Sequence, residues 1–495
     1  MIFASCPERR EVSLLTASNE FEFVLPVNPR HVHLIGACGV GMAGVAGLFL
    51  SRGLSVTGSD EAVYPPMSDH MARLGVTISE GYSRSNLCPS PDLVVIGNVI
   101  RADNEEARAA LDLKIPFTSM PGAIEKYFLD DNLCVVAAGS HGKTTLSSMI
   151  SWVLYDQEMD PGFMIGGLPS NFDTSSRLGK GELFVLEGDE YDSAFFDKRP
   201  KFLHYKPFVG IVTSCEFDHA DIYKDLAHIR GEFEKFLRLV PERGVILACN
   251  DDPVVRDILN TNNFQAETYG LSAESYWNVT DMCDTGAGIY AVFTKGSNAI
   301  ATGLLPVIGC HNVLNALAAV AAVEKVGIDP QKAMESLAFF KGVSRRQQVS
   351  HVNSDIMLID DFAHHPSEVR ETLAGFRLRF PKKRLVAVFE PRTNTSRRSI
   401  FQEKYVESFL SADVIALREP SDPWKAPEGD LFSSSRLADE LTARGKTARA
   451  FPDAGSILDF LTLRLRPEDV VIVMSNGDFE NLIPRLSKRL EDFKR

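Results

Sequence analysis

The sequence predicts an α/β protein built from three domains with mostly parallel sheets. Two observations support this fold class. The chain has 495 residues, and a typical domain of about 150 residues suggests three domains rather than one core. From His31 onward, short β-rich apolar runs alternate with helical patterns. This alternation is typical of parallel-sheet domains.

The composition is that of an ordinary globular protein. Apolar residues make up 44% of the chain and charged residues 24%, which excludes disordered, collagen-like and coiled-coil classes. The net charge of -14 argues against broad binding to nucleic acid or to anionic membranes. No apolar run approaches the length of a membrane span, so we expect no membrane insertion.

The cysteines and the N-terminus favour a cytoplasmic protein. The eight cysteines are scattered along the chain, unlike the dense spacing of disulfide-stabilised secreted domains. Residues 1–29 are predicted to form a short extension. Charged residues interrupt its apolar pieces, so it lacks the central segment of a signal peptide.

Three blocks of strand-like runs define the predicted domains. The first block has runs at 31–36, 54–60 and 92–97 and predicts a domain over residues 30–129. The second has runs at 133–138, 183–186, 209–213 and 244–248, with its last helix over 312–326, and predicts a domain over 130–343. After a hinge at 341–346, runs at 356–359, 384–389, 413–416 and 470–474 predict a third domain over 344–495.

The strongest motif is Gly-Ser-His-Gly-Lys-Thr-Thr at residues 139–145, between an apolar strand and a helical run. Phosphate oxygens need several converging N–H donors, which a glycine-rich turn at a helix N-terminus provides. Lys143 is expected on the β- and γ-phosphates, and the Thr144 hydroxyl on Mg²⁺. Ala137 departs from the generic pattern, which has glycine there.

A second glycine-rich segment follows the first strand. Gly39, Gly41 and Gly44 satisfy the G-x-G-x-x-G pattern, and Asp60 ends the next strand, as in a dinucleotide-binding domain. Here, however, Gly36 closes the strand and the triplet comes three residues later. This displacement favours another nucleotide or a diphosphate over a nicotinamide cofactor.

Acidic residues follow two strands of the second block. Glu187 lies in the run 183–192, and His219 closes the segment 216–219. Carboxylates at strand ends beside a phosphate-binding loop are the usual protein ligands of nucleotide-bound Mg²⁺.

Three polar loops follow strands of the third block, at residues 360–366, 389–398 and 475–477. Ligands of open α/β sheets bind at the carboxyl ends of strands, so the loops predict one shared site. Arg392, Arg397 and Arg398 form a basic cluster there, which suits bidentate contacts to carboxylates.

Taken in order, these motifs resemble the Mur ligase family from about residue 30 onward. The resemblance also rests on His-Asn-Val-Leu-Asn at 311–315, Arg345 and Arg346, and Asp-Phe-Ala-His-His at 361–365. It implies a Rossmann-like N-terminal domain, a central P-loop ATPase domain and a Rossmann-like C-terminal domain.

The resemblance also implies roles for individual residues. The UDP-muramate-binding residues implied are Gly36, Gly39, Val40, Gly41 and Asp60. The ATP-binding residues implied are Gly139, Ser140, His141, Gly142, Lys143, Thr144, Thr145, Asn315, Arg346 and Asp361. The catalytic residues implied are Lys143, Glu187 and His219, and the metal ligands are Thr144, Glu187 and His219. The acceptor-binding residues implied are Arg392, Asn394, Arg397 and Arg398.

The implied activity is an ATP- and Mg²⁺-dependent amide ligase of peptidoglycan recycling. It would join the lactyl carboxylate of UDP-N-acetylmuramate to the amino terminus of L-alanyl-γ-D-glutamyl-meso-diaminopimelate through an acyl phosphate. The motifs at 187–199, 216–221 and 389–398 favour this peptide acceptor over L-alanine, which is the near alternative. A nicotinamide-dependent oxidoreductase is an alternative from a different class, but the 139–145 loop has no use in it.

Overall fold

Parallel sheets of buried apolar strands dominate a computed structural model of the chain, which describes residues 24–63, 67–130, 132–353, 356–427 and 429–491. The predicted α/β class is therefore confirmed. Of the predicted extension over residues 1–29, residues 1–23 lie outside the described part. Contacts divide the chain into two units. One comprises the described residues up to Ala123 together with Asp192–Arg199, and the other comprises Ile124–Tyr191 and the described residues from Pro200 onward.

The first unit contains a five-stranded parallel sheet in the order β3-β2-β1-β4-β5. This order, in which the first strand lies at the centre, is that of a Rossmann-like half. All of β4 is buried, because helices cover both faces of a parallel sheet. The strands are β1 His31–Ile35, β2 Ser55–Asp60, β3 Thr77–Glu80, β4 Leu93–Ile96 and β5 Phe117–Ser119, and the helices are α1 Val40–Ser51, α2 Met67–Leu74 and α3 Glu105–Asp112. Helix α4 Met120–Phe128 begins in this unit and ends in the second.

The second unit begins with a ten-stranded sheet in the order β17-β16-β15-β14-β13-β12-β6-β9-β7-β8. Its middle is parallel, whereas β15, β16 and β17 form an antiparallel meander at one edge. The strands are β6 Leu133–Ala138, β7 Gly162–Met164, β8 Ser176–Arg177, β9 Leu183–Gly188, β12 Pro207–Val212, β13 Val245–Cys249, β14 Glu267–Gly270, β15 Trp277–Asp284, β16 Ile289–Lys295 and β17 Asn298–Leu305. A separate hairpin, which belongs to the first unit as far as Arg199, pairs β10 Asp192–Ala194 with β11 Asp197–Pro200.

Helices α5 Lys143–Asp156, α6 Leu226–Arg238, α7 Pro253–Asn262, α8 Cys310–Glu324 and α9 Pro330–Leu337 accompany this sheet. The prediction that the helix near 312–326 is the last of the block was wrong, because α9 follows it. Asp329 caps α9 by accepting hydrogen bonds from Gln331 N and Lys332 N at 3.0 and 3.1 Å. Pro330 at the first helical position adds a second start signal.

Residues 316–323 of α8 are all buried, and the alanines among them let the helix pack closely in the core.

The last sheet has the order β18-β19-β23-β20-β21-β22, antiparallel only where β18 pairs with β19. Apolar clusters cover both of its faces. The strands are β18 Gln348–Asn353, β19 Ile356–Asp361, β20 Leu385–Phe389, β21 Val414–Arg418, β22 Thr447–Phe451 and β23 Val470–Met474. The helices are α10 Pro366–Arg379, α11 Gln402–Ser408, α12 Ser434–Ala443, α13 Ala454–Arg464 and α14 Leu482–Glu491.

Within the described residues, we find no helix that combines the length and the apolar character needed to cross a membrane. The predicted domain boundaries at 29/30, 129/130 and 343/344 stay predictions.

Candidate active site

The segment 139–145 forms the turn between β6 and α5. β6 ends at Ala138 and α5 begins at Lys143. Gly142 has a φ of +81°, in the left-handed region, and a Cβ atom there would lie 2.7 Å from Asn315 Oδ1. Glycine meets both conditions without strain. The turn therefore brings the first N–H groups of α5 to the carboxyl edge of the sheet, where an anion is favoured.

Ala137, which stands where the generic pattern has glycine, lies inside β6. It pairs with Ile211 on one side and with Glu187 on the other, and it is fully buried. Its backbone is that of an ordinary strand, which any residue adopts. The departure from the pattern therefore leaves the turn itself unchanged.

Lys143 is held by three acceptors at the start of α5. Its Nζ lies 2.6 Å from the Gly139 carbonyl oxygen, 3.2 Å from the Ser140 carbonyl oxygen and 2.9 Å from Glu190 Oε2. Burial alone lowers the pKa of Lys143, but the carboxylates of Glu190 and Asp189 raise it above its usual value. The side chain is therefore a fixed cation at this edge of the sheet.

Thr144 and Glu187, two of the predicted metal ligands, lie together. The Thr144 hydroxyl donates to Glu187 Oε1 at 2.9 Å, and the Gly166 N–H donates to Glu187 Oε2 at 2.7 Å. A hydroxyl and a carboxylate are the hard oxygen donors that Mg²⁺ prefers. The residues present fit the predicted ion.

The third predicted ligand, His219, has a different partner. Its Nε2 lies 3.0 Å from Glu190 Oε1, and the Tyr191 ring lies beside it at 4.0 Å between centroids. Burial lowers the pKa of His219, but Asp218 and Glu190 outweigh burial and raise the pKa to about 9. Glu190, which the sequence analysis did not single out, therefore connects His219 to Lys143.

A cavity opens beside the 139–145 turn, and residues of α8, the end of β19 and the start of α10 also line it. Six of the ten residues predicted to bind ATP line it, namely His141, Gly142, Thr145, Asn315, Arg346 and Asp361. Further lining residues were not named as site residues in the sequence analysis, including Tyr269, Asn312, Gln347 and Glu368. The spacing of Asn312 and Asn315 on one face of α8 was the available signal for Asn312.

Asp361 ends β19 at the wall of this cavity. Its carboxylate accepts hydrogen bonds from Gln347 N at 2.8 Å and from Ala363 N at 2.9 Å. Burial raises the pKa of Asp361 to about 6, against the opposing effect of Arg346. The Arg346 guanidinium lies over the Phe362 ring, 4.5 Å from its centroid.

His141 connects the turn to helix α10. Its Nδ1 lies 3.2 Å from Glu368 Oε1, and its Nε2 lies 3.8 Å from Glu216 Oε1. Burial lowers the pKa of His141, but Glu216 and Glu368 raise it to about 10. The His365 ring lies beside the His141 ring at 4.7 Å between centroids, tilted by 40°, and burial and His141 lower the pKa of His365 to about 4. The opposite pKa shifts favour a protonated His141 beside a neutral His365.

The loops after β20 and β23 come together, as the sequence predicts for strands that share a sheet edge. Ser475 Oγ donates to Glu390 Oε2 at 2.6 Å. The Arg392 guanidinium lies against Gly477, where a Cβ atom would be 1.9 Å from Nη1. Arg392 also pairs with Asp478. Glycine at 477 is therefore needed for Arg392 to lie across the loop.

The other predicted acceptor residues also have partners within the chain. Arg397 is 5% exposed, and its Nη2 lies 3.2 Å from Asp422 Oδ2. Arg398 Nε lies 2.6 Å from Asp430 Oδ2. Asn394 Nδ2 donates to Asp221 Oδ2 at 2.9 Å. Sequence analysis missed these carboxylates because they belong to distant segments.

In the first unit, the predicted UDP-muramate residues form the turn between β1 and α1. Gly36 has a φ of +82°, and Gly39 is the N-cap of α1, which begins at Val40 and includes Gly41. Asp60 accepts hydrogen bonds from Cys38 N at 2.8 Å and Ala62 N at 3.0 Å. The Asp60 carboxylate therefore holds the turn in place.

Comparison with known families matches three consecutive parts of the chain. Residues 31–130 match "Mur ligase family, catalytic domain", residues 137–323 match "Mur ligase middle domain", and residues 345–477 match "Mur ligase, glutamate ligase domain". The chain is also similar to the UDP-N-acetylmuramate–L-alanyl-gamma-D-glutamyl-meso-2,6-diaminoheptandioate ligase of Escherichia coli (strain K12). The two are 35% identical, over 93% of this chain and 99% of the relative.

A solved structure and a second relative support the same family. A murein peptide ligase from Psychrobacter arcticus has a solved structure that matches with a TM-score of 0.69 and 33% identity, over 94% of this chain and 100% of that chain. The UDP-N-acetylmuramate–L-alanine ligase of Acetivibrio thermocellus is 32% identical, over 91% of this chain and 94% of the relative. The predicted three-domain α/β architecture is thus confirmed, and the chain belongs to the Mur ligase family.

Proposed function

We propose that this protein joins the lactyl carboxylate of UDP-N-acetylmuramate to the amino terminus of L-alanyl-γ-D-glutamyl-meso-diaminopimelate, at the expense of ATP. The similarity to the Escherichia coli relative, whose name gives these two substrates, supports the proposal. The arrangement of Lys143, Thr144 and Glu187 beside the 139–145 turn carries it. It provides a fixed cation and hard oxygen donors beside a phosphate-binding turn.

A carboxylate is a poor electrophile, so the reaction needs an acyl phosphate whose phosphate can leave. The attacking amine then forms the amide bond and releases inorganic phosphate. The residues of the chain act mainly by positioning reactants and neutralising charge on the transferred phosphoryl group. Lys143 and the N–H groups of the turn do this directly. When bound at Thr144, Glu187 and His219, Mg²⁺ supplies further charge neutralisation.

The other predicted ATP contacts lie along the cavity wall. Asn315, Arg346 and Asp361 all line it, and we expect Asn315 and Asp361 to hydrogen-bond the nucleoside and Arg346 to contact the nucleotide. In the first unit, the turn at Gly36–Gly41 offers a helix N-terminus to the diphosphate of UDP-N-acetylmuramate.

The acceptor is assigned to the loops at the carboxyl edge of the last sheet. The tripeptide carries several carboxylates, which Arg392, Arg397, Arg398 and Asn394 are suited to bind. Its terminal amine has a pKa of about 7.7–8.0, so a neutral fraction exists near neutral pH. A strongly shifted general base is therefore not required.

We infer a cytoplasmic reaction. The seven cysteines that the structure describes are all free thiols, which suits a reducing compartment.

Acceptor choice separates this function from its near alternative, the L-alanine-adding ligase. With saturating ATP and UDP-N-acetylmuramate, we expect ADP release at a kcat/KM at least about 100-fold higher for the tripeptide than for L-alanine. The several carboxylates of the tripeptide give the arginines contacts that alanine lacks, each worth about 1.5–3 kcal/mol. The opposite preference would establish the L-alanine ligase. The nicotinamide-dependent alternative predicts NADH binding, which we expect to be undetectable by fluorescence titration.

Nucleotide binding should depend on the ionisation of Asp361. Its ionised carboxylate accepts hydrogen bonds, and burial raises its pKa to about 6. Lowering the pH through 6 should therefore raise the Kd for ATP several-fold as the carboxylate becomes protonated. The Asp361→Asn variant should bind ATP more weakly at pH 8, and its Kd should lack the part of the rise near pH 6 that comes from protonation of Asp361. Phosphate groups also titrate near pH 6, but they affect both proteins equally. Parallel calorimetric profiles for the two proteins would contradict the role of Asp361.

A further inference from the structure

Glu190 is a buried carboxylate at the centre of the candidate site, with no role in the proposed function so far. It is 3% exposed and follows β9 by two residues. Its Oε1 lies 3.0 Å from His219 Nε2 and accepts a hydrogen bond from Lys143 Nζ at 3.1 Å, and its Oε2 lies 2.9 Å from the same Nζ. The Tyr223 hydroxyl donates to the Glu190 carbonyl oxygen at 2.6 Å and holds the backbone.

Three carboxylates near the end of β9, those of Glu187, Asp189 and Glu190, have different partners. Glu187 binds the Thr144 hydroxyl and the Gly166 N–H. Asp189 pairs with Lys201 Nζ at 2.6 Å. Glu190 alone of the three bonds both to Lys143, the predicted phosphate cation, and to His219, a predicted metal ligand. Its placement therefore differs from that of the predicted metal ligand Glu187.

The geometry of Lys143 makes Glu190 a competitor of phosphate. An ammonium group has three donors, and the carbonyl oxygens of Gly139 and Ser140 and the carboxylate of Glu190 occupy them. Lys143 can reach a phosphate oxygen only by giving up one of these partners. The carbonyls belong to the turn itself, so the side chain of Glu190 is the partner that can be exchanged.

We propose that Glu190 is a positioning residue that holds Lys143 and His219 in place before nucleotide binds and competes with phosphate oxygens for Lys143. The proposal rests on the proposed function and deepens it. It assigns Glu190 two opposite effects. The negative charge weakens nucleotide binding, and the two hydrogen bonds orient the groups that act on the transferred phosphoryl group.

The Glu190→Gln variant tests both effects. It keeps the shape of the side chain but removes the charge that faces the phosphates. Without metal, in excess EDTA, its Kd for ATP should be about tenfold lower than that of the wild type, because a nearby like charge is gone. Its kcat for ADP release with all substrates and Mg²⁺ should fall at least about tenfold, because a neutral amide oxygen holds Lys143 and His219 more weakly than a carboxylate does.

Three further variants define the result. Glu190→Asp keeps the negative charge and should still compete with phosphate for Lys143, so its metal-free Kd should match that of the wild type. Its shorter side chain cannot reach both Lys143 and His219, so its kcat should fall. Glu187→Gln should lose the Mg²⁺ dependence of ATP binding, whereas Glu190→Gln should retain it. Glu232→Gln changes a buried carboxylate on α6 that pairs with Lys235, and it should behave as the wild type.

The measurement is isothermal calorimetry with ATP, with and without Mg²⁺, alongside steady-state ADP release. An unchanged or higher metal-free Kd in Glu190→Gln, a kcat within twofold of the wild type, or loss of the Mg²⁺ dependence would overturn the proposal. If Glu190→Gln does not fold, the proposal is overturned by a Glu190→Asp protein whose metal-free Kd differs from that of the wild type or whose kcat does not fall. Failure of the wild type to bind MgATP would instead refute the proposed function.

Discussion

Replacing Lys143 by alanine should lower kcat for ADP release by about 10³-fold. Lys143 is the fixed cation at the start of α5, and its Nζ is already confined by the Gly139 carbonyl and Glu190. Such a preorganised charge stabilises the transferred phosphoryl group at no cost of reorganisation, and the loss of one comparable group costs about 10²–10³ in rate. Removing Lys143 also leaves Glu190 facing the phosphates without its counter-ion, which adds to the loss.

The control is Lys235→Ala, which removes an exposed lysine on α6 paired with Glu232. It should retain the wild-type kcat. Thermal unfolding of both variants, followed by circular dichroism, separates loss of catalysis from loss of fold. A folded Lys143→Ala protein with kcat within tenfold of the wild type would contradict the assignment of the 139–145 turn to ATP phosphates.

Replacing Arg392 by alanine should raise the KM for the peptide acceptor by about 10- to 100-fold and leave the KM for ATP within about twofold. Arg392 is 41% exposed and lies across Gly477 at the carboxyl edge of the last sheet. A charge-assisted hydrogen bond to a carboxylate contributes about 1.5–3 kcal/mol, which corresponds to this range of affinity. The cavity that we propose for ATP has a different set of lining residues.

Arg436→Ala is the matched control, because Arg436 is an exposed arginine that pairs with Glu440 on α12. It should change neither KM. Arg392→Lys should recover only part of the loss, since an ammonium group lacks the fork of the guanidinium. Equal increases in the KM for ATP and for the acceptor would show that Arg392 does not bind the peptide.

Much of the fold was predictable from local patterns. The runs at 133–138, 384–389 and 470–474 correspond to β6, β20 and β23, because central parallel strands are continuous apolar segments. Helix α9 was missed although Asp329 and Pro330 mark its start. It has only eight residues, too few for a clear helical pattern of apolar positions, and it follows a long alanine-rich helix. The antiparallel meander of β15 to β17 was also missed. Exposed polar residues interrupt its apolar positions.

The candidate site likewise has a part that the sequence predicts and a part that only the tertiary structure brings together. The 139–145 turn is one continuous segment, so its residue types alone predict its shape and its affinity for phosphate. Glu190, by contrast, gains its importance from His219, which lies 29 residues away, and from Lys143, which lies 47 residues away. The carboxylates of Asp422, Asp430 and Asp478 meet the arginine loop from equally separate segments.

The sequence by itself determined the α/β class, the family and the segments that bear chemistry, because each depends on residues close together in the chain. The tertiary structure alone decided which charges neutralise one another, and so which groups stay available to a substrate. Charge pairing depends on distances of a few ångströms between side chains and on their burial. The packing of the sheets sets those distances, and neighbouring residues in the chain do not.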